Sequence, residues 1–183
     1  MERQDALELL HTYTAGDGLR KHALAVEAAM RAYAVRLGGD PARWGVVGLL
    51  HDFDYERWPD PPAHTREGAR ILRERGVDEE TVEAILSHAE WNEIPRDTVL
   101  KKALFAVDEL CGFITAVAYV RPNRTLAEVD VRSVRKKMKD RAFARSVRRE
   151  DITGGAELLG VDLDEHIAVC LAALQGIHRD LGL

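Results

Sequence analysis

The chain has 183 residues, 46% of them apolar and 31% charged, with a net charge of −5. A chain of this size buries roughly 70% of its unfolded surface in one domain, and this balance excludes a disordered or fibrous protein. Only Cys111 and Cys170 are present, both in apolar helical patterns, which excludes a disulfide framework or a Cys-rich zinc site and makes a reducing cytoplasm the expected location.

Strand signals are nearly absent, with no sustained alternation of period two and no Asn-Gly or Asp-Gly hairpin, so the expected fold class is all-α. Leu7, Leu10 and Tyr13 predict a short first helix closing near Gly16. Leu19, Ala23, Val26, Met30, Tyr33, Ala34 and Leu37 recur at helical steps, and Gly38-Gly39 stops this second helix. Asp40 caps a third, with Pro41 in its first position, running through Trp44, Val47 and Leu50 to about Phe53. Pro59, Pro61 and Pro62 make residues 54–63 a loop, because proline lacks an N–H and biases the residue before it away from helical backbone. Residues 65–75 are helical again up to Gly76, and Asp78 starts a helix carrying Val82, Ile85 and Leu86. After a loop at 92–96, a long apolar helix spans about 97–120 and ends before Pro122. Thr125-Leu126-Ala127-Glu128 has the form of a capping box. A basic segment and a final helix over about 163–181 complete the chain, with Gly154-Gly155 and Gly160 as breaks.

Charge is unevenly spread. Residues 132–149 hold nine basic side chains against one acid, Asp140, in a chain that is acidic elsewhere. That segment reads either as a solvated helix face or as an anion-binding patch. The overall negative charge argues against a nucleic-acid platform, leaving RNA or DNA binding as a minor alternative for this segment alone. The most apolar stretch, residues 103–120, is interrupted by Asp108 and Glu109, and the first residues lack the order of a signal peptide, so neither a membrane nor export is expected.

Several titratable residues interrupt apolar helix faces. His51-Asp52 ends the run Val46-Val47-Gly48-Leu49-Leu50, which delivers an imidazole and a carboxylate from a buried environment to a loop mouth. Burying that carboxylate without a partner is costly, so a cation is expected beside it. His22 lies beside Leu19 and Val26, His88 follows Ala84-Ile85, and Asp108 stands between Leu104, Val107 and Cys111. Each alone is weak evidence, since a lone helical His is more often a satisfied core or surface residue than a ligand and a buried Asp can simply cap or pair. His11, His166 and His178 read as structural or surface residues, and Tyr55, Trp58 and Trp91 as core packing or as a wall beside the loops.

In order, His22, His51-Asp52 and Asp108 resemble the H…HD…D pattern of the HD-domain superfamily of metal-dependent phosphohydrolases. The resemblance covers about residues 19–124. His64-Thr65-Arg66-Glu67-Gly68-Ala69-Arg70-Ile71-Leu72 resembles the HxxxGAxxL segment of members that hold two metals, and His88 takes the place of their later histidine. The resemblance implies an HD-domain helical bundle, with residues 1–124 as the metal-binding core and residues 125–183 as a C-terminal helical extension packed on it. It also implies His22, His51, Asp52 and Asp108 around one metal, with Asp52 bridging to a second held by His64 and His88. Four imidazoles and two carboxylates suit one or two divalent transition ions, Fe, Mn, Co, Ni or Zn, better than Mg or Ca. Two such ions roughly 3.5–4 Å apart can share a hydroxide and clamp the attacking and leaving oxygens of a displacement at phosphorus.

The activity implied is hydrolysis of a small phosphate ester, with a nucleotide suggested by Val120-Arg121-Pro122-Asn123-Arg124, which resembles the ending after the Asp helix in HD hydrolases of dinucleoside tetraphosphates. Asp54 and Glu56 are candidates for a general base beside Asp52, or for a supporting carboxylate, or for plain loop solvation. Lys21, Arg121 and Arg124 are candidates to orient phosphate, with helix-end solvation as the alternative. Two other functions are alternatives: an HD-type diiron oxygenase, which shares the six-ligand set, and a non-catalytic metal-stabilised binding module, which the presence of all six ligands disfavours. The oxygenases often add a lysine after the last histidine, where this chain has Ala89-Glu90-Trp91-Asn92. The expected partner is a small phosphorylated substrate, and association of the last helices with a second copy, as a homo-oligomer, stays open.

Overall fold

Residues 1–183 of the computed structural model contain ten α-helices and no strand: α1 (Arg3–Tyr13), α2 (Asp17–Leu37), α3 (Pro41–Leu50), α4 (Ala63–Glu74), α5 (Glu79–His88), α6 (Val99–Tyr119), α7 (Val131–Met138), α8 (Arg149–Leu159), α9 (Leu163–Gly176) and α10 (His178–Leu181). Local chemistry sets most of the boundaries. The Asp40 carboxylate accepts from Ala42 N–H ahead of Pro41, and Asp78 accepts from Thr81 N–H, so α3 and α5 start where their caps stand. Thr98 caps α6, which therefore begins two residues later than its apolar pattern suggests.

Four expectations need correction. The third helix stops at Leu50, and His51 to Arg57 form turns that carry the chain out of the bundle. Thr125 to Glu128 opens no α-helix, because the Glu128 carboxylate turns back to accept from the backbone and side-chain amides of Asn123. The reciprocal capping box is formed by Asp130 and Ser133 at the start of α7. Gly154-Gly155 does not break a helix but lies inside α8, and the final helix is divided at Ile177, whose φ of −117° leaves the helical region.

Small residues set the helix crossings. A Cβ on Gly48 would stand 2.9 Å from Val26 O and 3.0 Å from Glu27 N, so the last turn of α3 lies directly on the backbone of α2. A Cβ on Gly155 would stand 2.5 Å from Ala106 Cα, which is why α8 can cross α6 so closely. Gly155→Ala is therefore expected to cost about 1–3 kcal/mol through overpacking, read as a lowered midpoint in denaturant unfolding with an unchanged slope.

One contiguous core runs from Ala6 to Leu183, and residues after 124 pack into it rather than forming a core of their own. His166 shows the connection: buried on α9, it meets the Tyr33 hydroxyl of α2 through Nδ1 and Ala106 O of α6 through Nε2. The basic segment is mixed in structure. Val134 turns inward from α7, while Arg132, Lys136, Lys139, Arg141 and Arg145 are exposed. The Arg149 guanidinium organises the loop before α8 by donating to the carbonyls of Phe143, Ala144 and Val147. No helix is long and apolar enough to cross a membrane.

Candidate metal centre

The α2–α3 crossing and the close approach of α6 bring three distant parts of the chain together. His22 of α2 meets Asp108 of α6, with Nε2 3.0 Å from Oδ1. His51 follows the last turn of α3, where its Nδ1 donates to Gly48 O at 2.8 Å and so turns Nε2 inward. That Nε2 is fully buried and makes no hydrogen bond; its nearest oxygens are Asp108 Oδ1 at 3.4 Å and Asp52 Oδ2 at 3.6 Å. A buried nitrogen aimed between two carboxylates and bonded to neither is what a cation-binding position requires of its ligands.

The second half repeats the device. His64 sits at a kink in the first turn of α4 and donates from Nδ1 to Asp54 Oδ1 at 2.8 Å. His88, at the end of α5, donates from Nδ1 to Ile85 O at 2.6 Å. Both therefore present Nε2, each 3.2 Å from Asp52 Oδ1. Two groups result, His22 with His51 and Asp108, and Asp52 with His64 and His88, the ligating atoms in each lying within 4.8 Å of one another. Asp52 faces both, one oxygen to each.

Supporting contacts hold these rings from outside. The second oxygen of Asp54 accepts from Gly68 N–H at 2.9 Å, and a Cβ on Gly68 would collide with it at 2.8 Å, so glycine is required there for Asp54 to reach His64. Arg96 donates to Ser87 O and His88 O while its guanidinium lies 3.7 Å from the Phe105 ring centroid, fixing the end of α5. Trp91 Nε1 donates to His64 O, and the Asn92 amide bridges Leu86 O and Thr65 Oγ1.

The electrostatics favour positive charge at this point. Burial alone would lower the His51 imidazole pKa, but Asp52 and Asp108 overcome it and raise it to about 10. His64 is likewise opposed by burial and raised to about 9 by Asp52 and Asp54. Burial opposes ionisation of Asp52 and Asp108, yet the surrounding imidazoles hold both well below the usual carboxylate range. Glu109, one residue on, is pushed up to about 7 by burial and by the neighbouring Asp108 charge.

A cavity of about 220 Å³ opens over the centre, lined by Asp52, His64, His88 and Asp108 at its floor and by Tyr55, Trp91, Phe105, Glu90, Glu109, Arg148 and Asp151 above. The segment after residue 124 thus supplies part of the wall. All six expected ligands converge here. Glu56 does not join them: it lies at the surface, and its carboxylate accepts from Ala15 and Gly16 N–H at the start of α2. Lys21 pairs with Asp17, and neither it, Arg121 nor Arg124 lines the cavity. Thirteen residues separate Arg121 from Asp108, roughly 20 Å along a helix axis, which explains its distance. Tyr55 and Trp91 form a wall beside His64, with ring centroids 5.2 and 5.8 Å away, whereas Trp58 packs on Tyr13. Arg148 carries only the sequence signal of the basic segment 132–149 and Asp151 none, because only the fold brings them to the cavity that His88 also lines; Glu109 stands out in the sequence by its adjacency to Asp108 in an apolar helix.

Because Asp54 orients His64, Asp54→Ala is expected to weaken cation binding at the Asp52, His64 and His88 group by about 10–100-fold while sparing the other group, as measured by metal titration. Equal weakening at both groups, or at neither, would contradict this division. A family model described as HD domain matches residues 19–112, just over half of the chain and inclusive of all six expected ligands. No curated protein and no solved structure matches it.

Proposed function

The chain belongs to the HD-domain family, and on that premise we propose that it is a metal-dependent phosphohydrolase that cleaves a small phosphate ester. The observation that carries this reading is the carboxylate of Asp52, whose Oδ1 stands 3.2 Å from both His64 and His88 while Oδ2 faces His51 at 3.6 Å. Six nitrogen and oxygen donors in two groups sharing one carboxylate suit a pair of divalent transition ions. His22, His51 and Asp108 would hold one, His64 and His88 the other, with Asp52 common to both. When bound, such ions supply Lewis acidity to a phosphoryl oxygen and to an attacking water.

The chain's own residues do the rest. Asp52 and Asp108 balance the charge, and Asp54 acts through His64 as a positioning residue, since both of its oxygens are already engaged with His64 and Gly68. Tyr55, Trp91 and Phe105 restrict water above the centre. Lys21, Arg121 and Arg124 do not reach the cavity to orient phosphate, the one arginine lining it, Arg148, is paired with Glu90 and Asp151, and Glu56 serves the α2 start instead of the reaction. In the reaction a water oxygen forms a bond to phosphorus, the ester P–O bond breaks, and the alcohol leaves with a proton.

The test is phosphate release from phosphomonoesters and nucleotides by protein supplied separately with Mn, Fe, Co, Ni and Zn. Release under at least one metal, lost on chelation, is the expected result. Substrate loss with oxygen uptake and no phosphate would replace hydrolysis by oxygenation.

A further inference from the structure

We infer that the substrate carries a cationic nitrogen, an ammonium or quaternary ammonium, beside its phosphate, and that Glu109 recognises it together with the faces of Trp91 and Tyr55. The phosphate half of this rests on the phosphohydrolase reading; the cationic half rests on the charges and surfaces of the outer cavity.

Above the ligating residues the cavity wall holds three carboxylates, Glu90, Glu109 and Asp151, and one arginine. Arg148 is committed to two of them, with Nη1 2.8 Å from Glu90 and Nε 3.2 Å from Asp151. Arg96, the other nearby cation, adds its charge beside the same two acids but directs its donors to Ser87 O and His88 O and its flat face to Phe105. Two arginine charges therefore stand with Glu90 and Asp151, and Glu109 is left in excess. It lines the cavity, is only partly exposed, and forms no ion pair. Its carboxylate accepts from Arg148 N–H but has no ion-pair partner of its own; a partly buried carboxylate in that position is unfavourable, and a ligand's cation lowers the cost.

The aromatic surface points the same way independently of charge. Trp91 and Tyr55 remain 42% and 39% exposed, large rings left open on the wall of one cavity. Exposed aromatic faces near a carboxylate are the recurrent means of holding ammonium groups, which are drawn to the ring quadrupole as well as to the acid. Size limits the remainder: about 220 Å³ is small beside the roughly 300–1,000 Å³ of sites for drug-sized ligands, and it suits an aminoalkyl phosphate better than a nucleotide.

The test compares near-isosteric pairs by calorimetry on the full-length protein loaded with Mn: 2-aminoethyl phosphate against 2-hydroxyethyl phosphate, and phosphocholine against 3,3-dimethylbutyl phosphate. The cationic member of each pair is expected to bind at least about tenfold more tightly, and Glu109→Gln to bring the ratio close to one. Equal affinities within both pairs, no binding by either pair, or a preference that survives Glu109→Gln would overturn the inference. Phosphate release measured in parallel reports on the reading beneath it: charge preference without release from any ester removes hydrolysis and leaves cation recognition standing, whereas release without charge preference does the reverse.

Discussion

Alanine in place of Asp52 is expected to lower phosphate release by at least about a thousandfold and to strip metal from both groups after dialysis. The reason is geometric. Removing His22 or His88 would take one donor from one group, but Asp52 turns one oxygen toward His51 and the other toward His64 and His88. Asp52→Asn separates charge from shape, because it keeps the side-chain volume and one oxygen acceptor while losing the negative charge. It is expected to retain less metal than the native protein and more than Asp52→Ala. Metal analysis checks both, and an alanine variant that kept two ions per chain would remove Asp52 from its bridging place.

Metal removal should have the second-largest effect, on stability. A ligand that binds only the folded state stabilises it by about 4 kcal/mol at a thousandfold excess over its Kd, which for a chain of this size raises Tm by roughly 8–16 °C. Chelator-treated protein is expected to regain such a shift on adding Mn, Co or Fe, whereas Asp52→Ala gains little. The sign of its pH dependence follows from the imidazoles. His51 and His64 have folded-state values of about 10 and about 9, above the ordinary imidazole value, so their protonated forms stabilise the fold fully below that ordinary value and lose this effect as pH rises through 9 and 10. A metal ion must displace those protons, so the metal-induced Tm shift should grow with rising pH over that same window. Melting curves with and without metal across this range check it; a shift that shrinks toward alkaline pH would contradict the assignment of these nitrogens as ligands.

The site was legible in the sequence where chemistry breaks a pattern. His22, His51-Asp52, His88 and Asp108 each place a titratable group on an otherwise apolar helical stripe, and their order supplied the rest. What the sequence withheld was direction. Whether Asp54 is a base or a support depends on where its two oxygens point, and only the turn after α3 sets them on His64 and Gly68. Charge position was misleading for a similar reason. Arg121 and Arg124 follow the Asp108 helix in the chain but lie beyond its far end, while Arg148, forty residues after Asp108, is folded back onto the cavity by α8. Gly154-Gly155 reads locally as a helix stop, yet the missing side chain serves the crossing with Ala106. Local propensity carries no record of a neighbour that arrives from fifty residues away.

A crystal grown with Mn and recorded near its absorption edge addresses the metal centre most directly. Two anomalous peaks are expected, one among His22, His51 and Asp108 and one between His64 and His88, with the Asp52 carboxylate spanning them. A map with no peak at these side chains, or with its peaks elsewhere on the molecule, would contradict the assignment of all six.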